Sequence, residues 1–259
     1  MRRIILFILS VFVSVSLFAQ NELLAGADSA YLKEDYRQAI SLYERALEEY
    51  GPSPTAFYNL GNAYYRTDRI GLAILNYERA LKLDPSFKDA RTNLDFVNTK
   101  ITDKPEDDSS FLGNAYESIV QSLSPNAWAW VALAVFVLLL GSIATYIFTR
   151  RVIIRKTGFF GAIILIFLLV FFISVAYNSA NRLYRHDRAV VMVPTTNLTS
   201  APRSPKSKTE KVVPVHEGTV LRIVDSVATP DDAASHMYYD VKINNTTRAW
   251  VKAADVERI

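Results

Sequence analysis

The chain contains no cysteine, and that absence removes disulfides, thiolate metal sites, lipoprotein-type anchoring and cysteine nucleophiles together. Histidine is scarce. His186, His216 and His236 stand alone, and no His-Glu-x-x-His, phosphate-binding loop or Gly-x-Ser-x-Gly occurs in the 259 residues. The sequence therefore predicts no catalytic residue, no metal site and no cofactor. Long basic stripes are missing too, so no nucleic-acid partner is expected. The formal charge of +3 averages unlike regions. Residues 20–126 hold 11 basic and 17 acidic side chains, a net of −6, whereas residues 178–259 hold 12 and 9, a net of +3.

Charge is also absent from two long apolar runs, residues 128–148 and 158–177. At about 1.5 Å per residue each reaches about 30 Å, the thickness of a bilayer's hydrocarbon core. They read as transmembrane helices over 127–149 and 158–177, which excludes a wholly soluble protein. Neither run contains an Asp, Glu, Lys, Arg or His, so an anchor is favoured over a pore or transporter element. Gly141 and Gly161 offer small faces for helix contact. Between the runs, the loop 150–157 carries Arg150, Arg151, Arg155 and Lys156, a charge that favours the cytoplasmic face. At the N-terminus, Arg2 and Arg3 precede an apolar run from Ile4 to Phe18 and then Ala19. That pattern predicts a signal peptide over 1–19, with an uncleaved anchor as the alternative. Signal and loop charge give the same orientation: both flanking regions lie outside the cytoplasm, on a bacterial inner membrane.

Residues 20–101 contain a repeat with an offset of 34. Phe57, Leu60, Gly61, Tyr64, Ala73, Tyr77, Ala80 and Pro85 align with Leu23, Gly26, Ala27, Ala30, Ala39, Tyr43, Ala46 and Ser53. Small residues at Gly61, Ala73 and Ala80 let two antiparallel helices approach, and Tyr64 and Tyr77 fill the space between them. Ala90, Leu94, Val97 and Ile101 trace a further helix that can cap the stack. The spacing resembles the tetratricopeptide repeat family, with units at 20–53 and 54–87 and a capping helix at 88–101. The resemblance implies an α-helical solenoid that binds other proteins along a groove lined by the first helix of each pair. Its groove positions fall on Leu24, Asp28, Tyr31, Tyr58, Asn59, Asn62, Tyr65, Arg66, Thr92, Asn93 and Phe96. Asn amides suit a peptide backbone and Arg66 suits a carboxylate. Leu24 and Asp89 occupy positions where the family's carboxylate clamp has lysines, which argues against capture of a chain terminus. The competing reading of this face is a solvated surface.

Residues 102–126 divide into a polar linker and a short apolar stripe through Phe111, Leu112, Tyr116, Ile119, Val120 and Leu123. The stripe predicts an amphipathic juxtamembrane helix, lying on the bilayer or packed on the repeats. Strands are expected at 189–194, 219–225, 237–243 and 248–251, with a turn at 244–247 and a mobile loop over 200–211. Short strands over residues 186–259 imply a small all-β barrel. His216-Glu217-Gly218-Thr219 and the hairpin ending Ala249-Trp250-Val251 resemble the bacterial SH3 family, although Tyr239 stands in place of its tryptophan and Arg248-Ala249 in place of its glycine. The resemblance implies a groove near Tyr238, Tyr239 and Trp250 for peptidoglycan, cell-wall peptides or proteins, with Trp250 equally suited to a core.

The fold class expected is thus a multidomain membrane protein: a helical solenoid, a transmembrane hairpin and an SH3-like barrel. That order of modules resembles the BatE-type family of the Bacteroidetes aerotolerance operon. It implies an inner-membrane complex whose other members carry von Willebrand factor A domains. A non-enzymatic scaffold is the leading expectation and an envelope sensor that binds peptidoglycan is the alternative.

Overall fold

The computed structural model describes residues 22–103, 111–203, 212–229, 236–242 and 248–259. The expected signal peptide, the turn 244–247, most of the loop 200–211 and most of the linker lie outside the described residues. Helix α1 spans residues 22–32, followed by α2 (Tyr36–Tyr50), α3 (Pro54–Arg66), α4 (Ile70–Leu83) and α5 (Lys88–Asn98). Local chemistry sets these boundaries. Asp35 accepts from the Gln38 N–H at the start of α2, and Ser53 caps α3 with Pro54 in its first turn. The turns repeat as faithfully as the helices. Glu34 and Asp68, 34 residues apart, both take positive φ, and Asp35 and Arg69 each donate back to the carbonyl five residues earlier.

Packing follows the predicted register. Ala27, Ala30, Ala39, Tyr43 and Ala46 are buried, as are their counterparts Gly61, Tyr64, Ala73, Tyr77 and Ala80. A methyl group on Gly61 would sit 2.8 Å from the Tyr77 ring, which is why α3 and α4 cross at a residue without a side chain. Ala90, Leu94, Val97 and Ile101 close the same core from α5 and the turn after it.

The strands after residue 186 belong to the same compact unit as these helices. They are β1 (Arg188–Val191), β2 (Thr195–Leu198), β3 (Val213–His216), β4 (Val220–Thr229), β5 (His236–Lys242), β6 (Arg248–Lys252) and β7 (Val256–Arg258). Five form an antiparallel sheet in the order β6-β5-β4-β1-β7, and β2 pairs with β3 in a separate ribbon. The expected barrel does not close among the described residues. The free edge of β1 is taken by β7, and the ribbon meets the sheet through the Thr199–Trp250 bridge. Strands β2, β3 and β7 lie outside the four expected strands, and each is four residues or fewer, a length that offers little period to read.

Strand β1 has an apolar side chain on each face because it serves two cores. Ala189 and Val191 pack with Leu198, Leu221, Val241 and Val251, whereas Val190 turns the other way and joins the helical core. Alternation along one strand therefore links strands to repeats. Polar contacts surround the junction. Arg188 donates to Glu78 at 2.5 Å, Arg79 to Glu257 at 2.7 Å, and the Gly71 N–H to Glu217 at 2.8 Å. Asp103 accepts from the His216 N–H at 2.7 Å and from the Thr219 hydroxyl at 2.9 Å. Burial raises the Asp103 carboxyl, but these donors and the adjacent His216 ring outweigh it and hold the group below its ordinary value. Burial likewise lowers Lys82, which donates to the Ile259 carbonyl.

The second unit, residues 109–185, contains α6 (Phe111–Gln121), α7 (Pro125–Phe148) and α8 (Val152–Tyr184). Two of these helices, α7 and α8, are long and apolar enough to cross a membrane. Helix α8 is longer than the expected span of 158–177, and the expected loop 150–157 shrinks to the residues joining the helices. Charged side chains do not interrupt a helix, so Arg155 and Lys156 ride on the first turns of α8 instead of a loop. Ser142 on α7 donates to the Gly158 carbonyl, and that close approach replaces the one expected at Gly141, which faces open space. Within this unit α6 contributes Val120 to a small apolar cluster with Trp128 of α7 and Val175 of α8. The Trp128 indole donates to the Val120 carbonyl.

Candidate protein-interaction groove

Helices α1, α3 and α5 lie 34 residues apart and place equivalent side chains side by side. The structure brings together many of the groove residues expected from sequence, and five of them, Asp28, Tyr58, Asn59, Asn62 and Asn93, are hydrogen-bonded within the set. On α3, Asn62 accepts from the Tyr77 hydroxyl at 2.7 Å and from the Asn93 amide at 2.8 Å, while Asn93 also reaches Tyr58 at 3.3 Å. One repeat earlier the pattern recurs with a carboxylate: Asp28 accepts from Tyr43 at 2.5 Å and from Asn59 at 3.2 Å. Arg66 turns to the first repeat, donating to the Tyr36 hydroxyl at 2.6 Å and lying over its ring. The amides therefore fasten neighbouring first helices together, and the guanidinium ties α3 to α2, before any partner arrives.

The aromatic residues divide by depth. Tyr58 packs against Phe87 and Tyr77 in the floor. Tyr65 meets Phe96 edge to face at 5.8 Å, and Lys100 lies over both rings. Phe96 is still 52% exposed. At the α1 end, Asp28, Tyr31, Leu32, Tyr43, Asn59 and Asn62 line a pocket of about 230 Å³. Burial raises the phenols of Tyr43 and Tyr77, and that of Tyr31 against the opposing charge of Arg66. Leu24 packs on the helical core as a partly buried side chain, and Thr92 is exposed with its hydroxyl on the Lys88 carbonyl.

Sequence reasoning missed Leu32, Tyr36 and Lys100 as groove residues. Leu32 is 82% exposed at the end of α1. The period could have found it, since adding 34 to Leu32 gives Arg66 and adding 34 again gives Lys100. The three β-region aromatics do not form one groove. Tyr239 packs on the sheet's core face, where Arg258 lies over its ring, whereas Trp250 pairs across from Asp240 and joins Tyr238 on the opposite face. Asp240 is buried there and ion-pairs with Arg248.

Comparison with known proteins agrees with this geometry. Serine/threonine-protein phosphatase T of Aspergillus oryzae is 28% identical over 88 residues, which is 34% of this chain and 18% of the phosphatase. The chain thus spans less than a fifth of that relative's length. Residues 24–87, which hold most of α1 and all of α2, α3 and α4 but not α5, match the tetratricopeptide repeat family.

Proposed function

We propose that this protein is a non-enzymatic inner-membrane scaffold that presents its repeats and its β region outside the cytoplasm to other proteins. The observation that carries the reading is the groove of α1, α3 and α5, whose half-buried Tyr31 and Tyr65 and exposed Phe96 surround a self-bonded polar floor. Large amphipathic rings at low entropic cost are favoured at protein interfaces. The orientation rests on the basic residues 150–156 and on the predicted signal peptide. A second argument supports the part of it that puts both flanking regions on one side. Repeats and strands share a core although the two apolar helices separate them in sequence, and parts that share a core must lie on one side of a membrane. An even number of crossings satisfies that condition.

The order of modules favours a Bat-type complex with partners that carry von Willebrand factor A domains. The SH3-like reading of the β region, and through it peptidoglycan binding, is the alternative. Cross-linking of intact membranes followed by mass spectrometry tests the scaffold: membrane proteins should be recovered on peptides from α1, α3 and α5. Recovery of none, together with strong retention of the full chain on purified sacculi, would replace the scaffold with the sensor. Reporter fusions after residues 126 and 259 should be active only outside the cytoplasm, and cytoplasmic activity of the latter would overturn the topology.

A further inference from the structure

The two repeats build the same polar socket from different residues. In the second repeat the socket residue is Asn62, neutral, with its carbonyl taken by Tyr77 and Asn93. In the first it is Asp28, whose Oδ1 alone receives both Tyr43 and Asn59. Among the described residues no donor meets Oδ2. Asp28 is exposed and lines the 230 Å³ pocket, with the Tyr31 ring and Leu32 as further walls. The nearby cation, Arg66, is held on Tyr36 and is not part of that lining.

We infer that this pocket takes a basic side chain, lysine or arginine, from the protein segment that occupies the groove. The inference rests on the groove reading above and adds the chemistry of the occupant. A carboxylate oxygen beside an aromatic ring is what recognises an ammonium or guanidinium group. Leu32 supplies apolar contact for the methylene stem, which long basic side chains bury readily. Charge beyond the pocket has the same sign, because the repeats, residues 20–101, hold 12 acidic and 10 basic side chains, a net of −2.

The test uses the full chain in detergent micelles and a displayed library of random dodecapeptides. Selected peptides should be rich in lysine or arginine, and rising salt should weaken them. Asp28→Asn should lower the affinity of such a peptide about tenfold. The same change of affinity should follow from replacing the peptide's basic residue with norleucine, and combining the two changes should add little. Asp28→Asn reproduces the socket of the second repeat, so its melting temperature should stay near wild type. Tyr31→Leu, which removes the ring, provides an independent variant with a smaller loss for basic peptides alone. Peptides without basic bias that are nevertheless weakened by Phe96→Ala would overturn the cation pocket and leave the groove standing. Peptides indifferent to Asp28, Tyr65 and Phe96 alike would overturn both.

Discussion

Helices α2 and α4 contain the same five residues, Tyr-Glu-Arg-Ala-Leu, at 43–47 and 77–81. Inward, the copies behave identically: Tyr43 and Tyr77 donate to positions 28 and 62, and Ala46 and Ala80 are buried against the preceding helix. Outward they diverge. Arg45 pairs with Glu49 on its own helix, whereas Arg79 reaches Glu257 and the Arg258 carbonyl on β7. Glu44 accepts from Tyr64, one helix away, whereas Glu78 is 7% exposed beneath Arg188. The inner face of a repeat is thus fixed by its own period, and the outer face by whatever covers it. On α4 the cover is the β region, which is why Ile74 and Leu75 are both buried although they point around the helix by about 100° from each other.

Removing the cover should produce the largest effect. Gly218 has φ +87°, and a side chain there would meet Ile74 and Ile101 at 2.8 Å. Gly218→Val combines backbone strain with overpacking and should cost about 3 kcal/mol or more. Thermal unfolding by circular dichroism should show it, and exchange at α4 amides should accelerate more than at α2. Next, Glu78→Ala should cost about 1 kcal/mol, the partner Arg188 being about half exposed and so solvent-screened. Chemical denaturation of each variant checks it, with Arg188→Ala adding little to Glu78→Ala if the two act as a pair.

A pH series sharpens the same contact through Asp103. Its folded-state ionisation lies below the ordinary value, so the carboxylate stabilises the junction above about pH 4. That contribution is lost as pH falls through the depressed value. Asp103→Asn should therefore lower stability at neutral pH and flatten the acid limb of the stability curve below about pH 4. The smallest difference lies between the arginines. Arg79→Ala should lower the melting temperature by a degree or two, roughly the scale of a partly exposed ion pair. Arg45→Ala should leave it unmoved, since that pair is solvated on one helix. Equal shifts would mean that the outer faces of α2 and α4 are not different after all.

The groove was legible to the extent that it follows the period. The tetratricopeptide resemblance, carried by the offset of 34, implies Tyr58, Asn62, Tyr65, Asn93 and Phe96 as groove residues, and the structure gathers them. Their mutual bonds were not legible, because spacing gives a face but not which oxygen a given amide donates to. In the β region even the face was obscure. Tyr238 and Tyr239 are adjacent in sequence and so point opposite ways, and register decides which one meets the core.

By itself the sequence determined the repeats, their inner faces, the two apolar helices and the polarity of charge around them. Each of these depends on contacts a few tens of residues apart or less, where periodicity and composition record the constraint directly. Only the tertiary structure decided that β1 faces two cores, that the sheet stays open among the described residues, and that α4 is covered. Those outcomes rest on contacts such as Glu78 with Arg188, 110 residues apart, and Arg79 with Glu257, 178 apart. Contacts at such separations leave no period in the chain. They are selected by complementary shape and charge between surfaces that exist only after each part has folded.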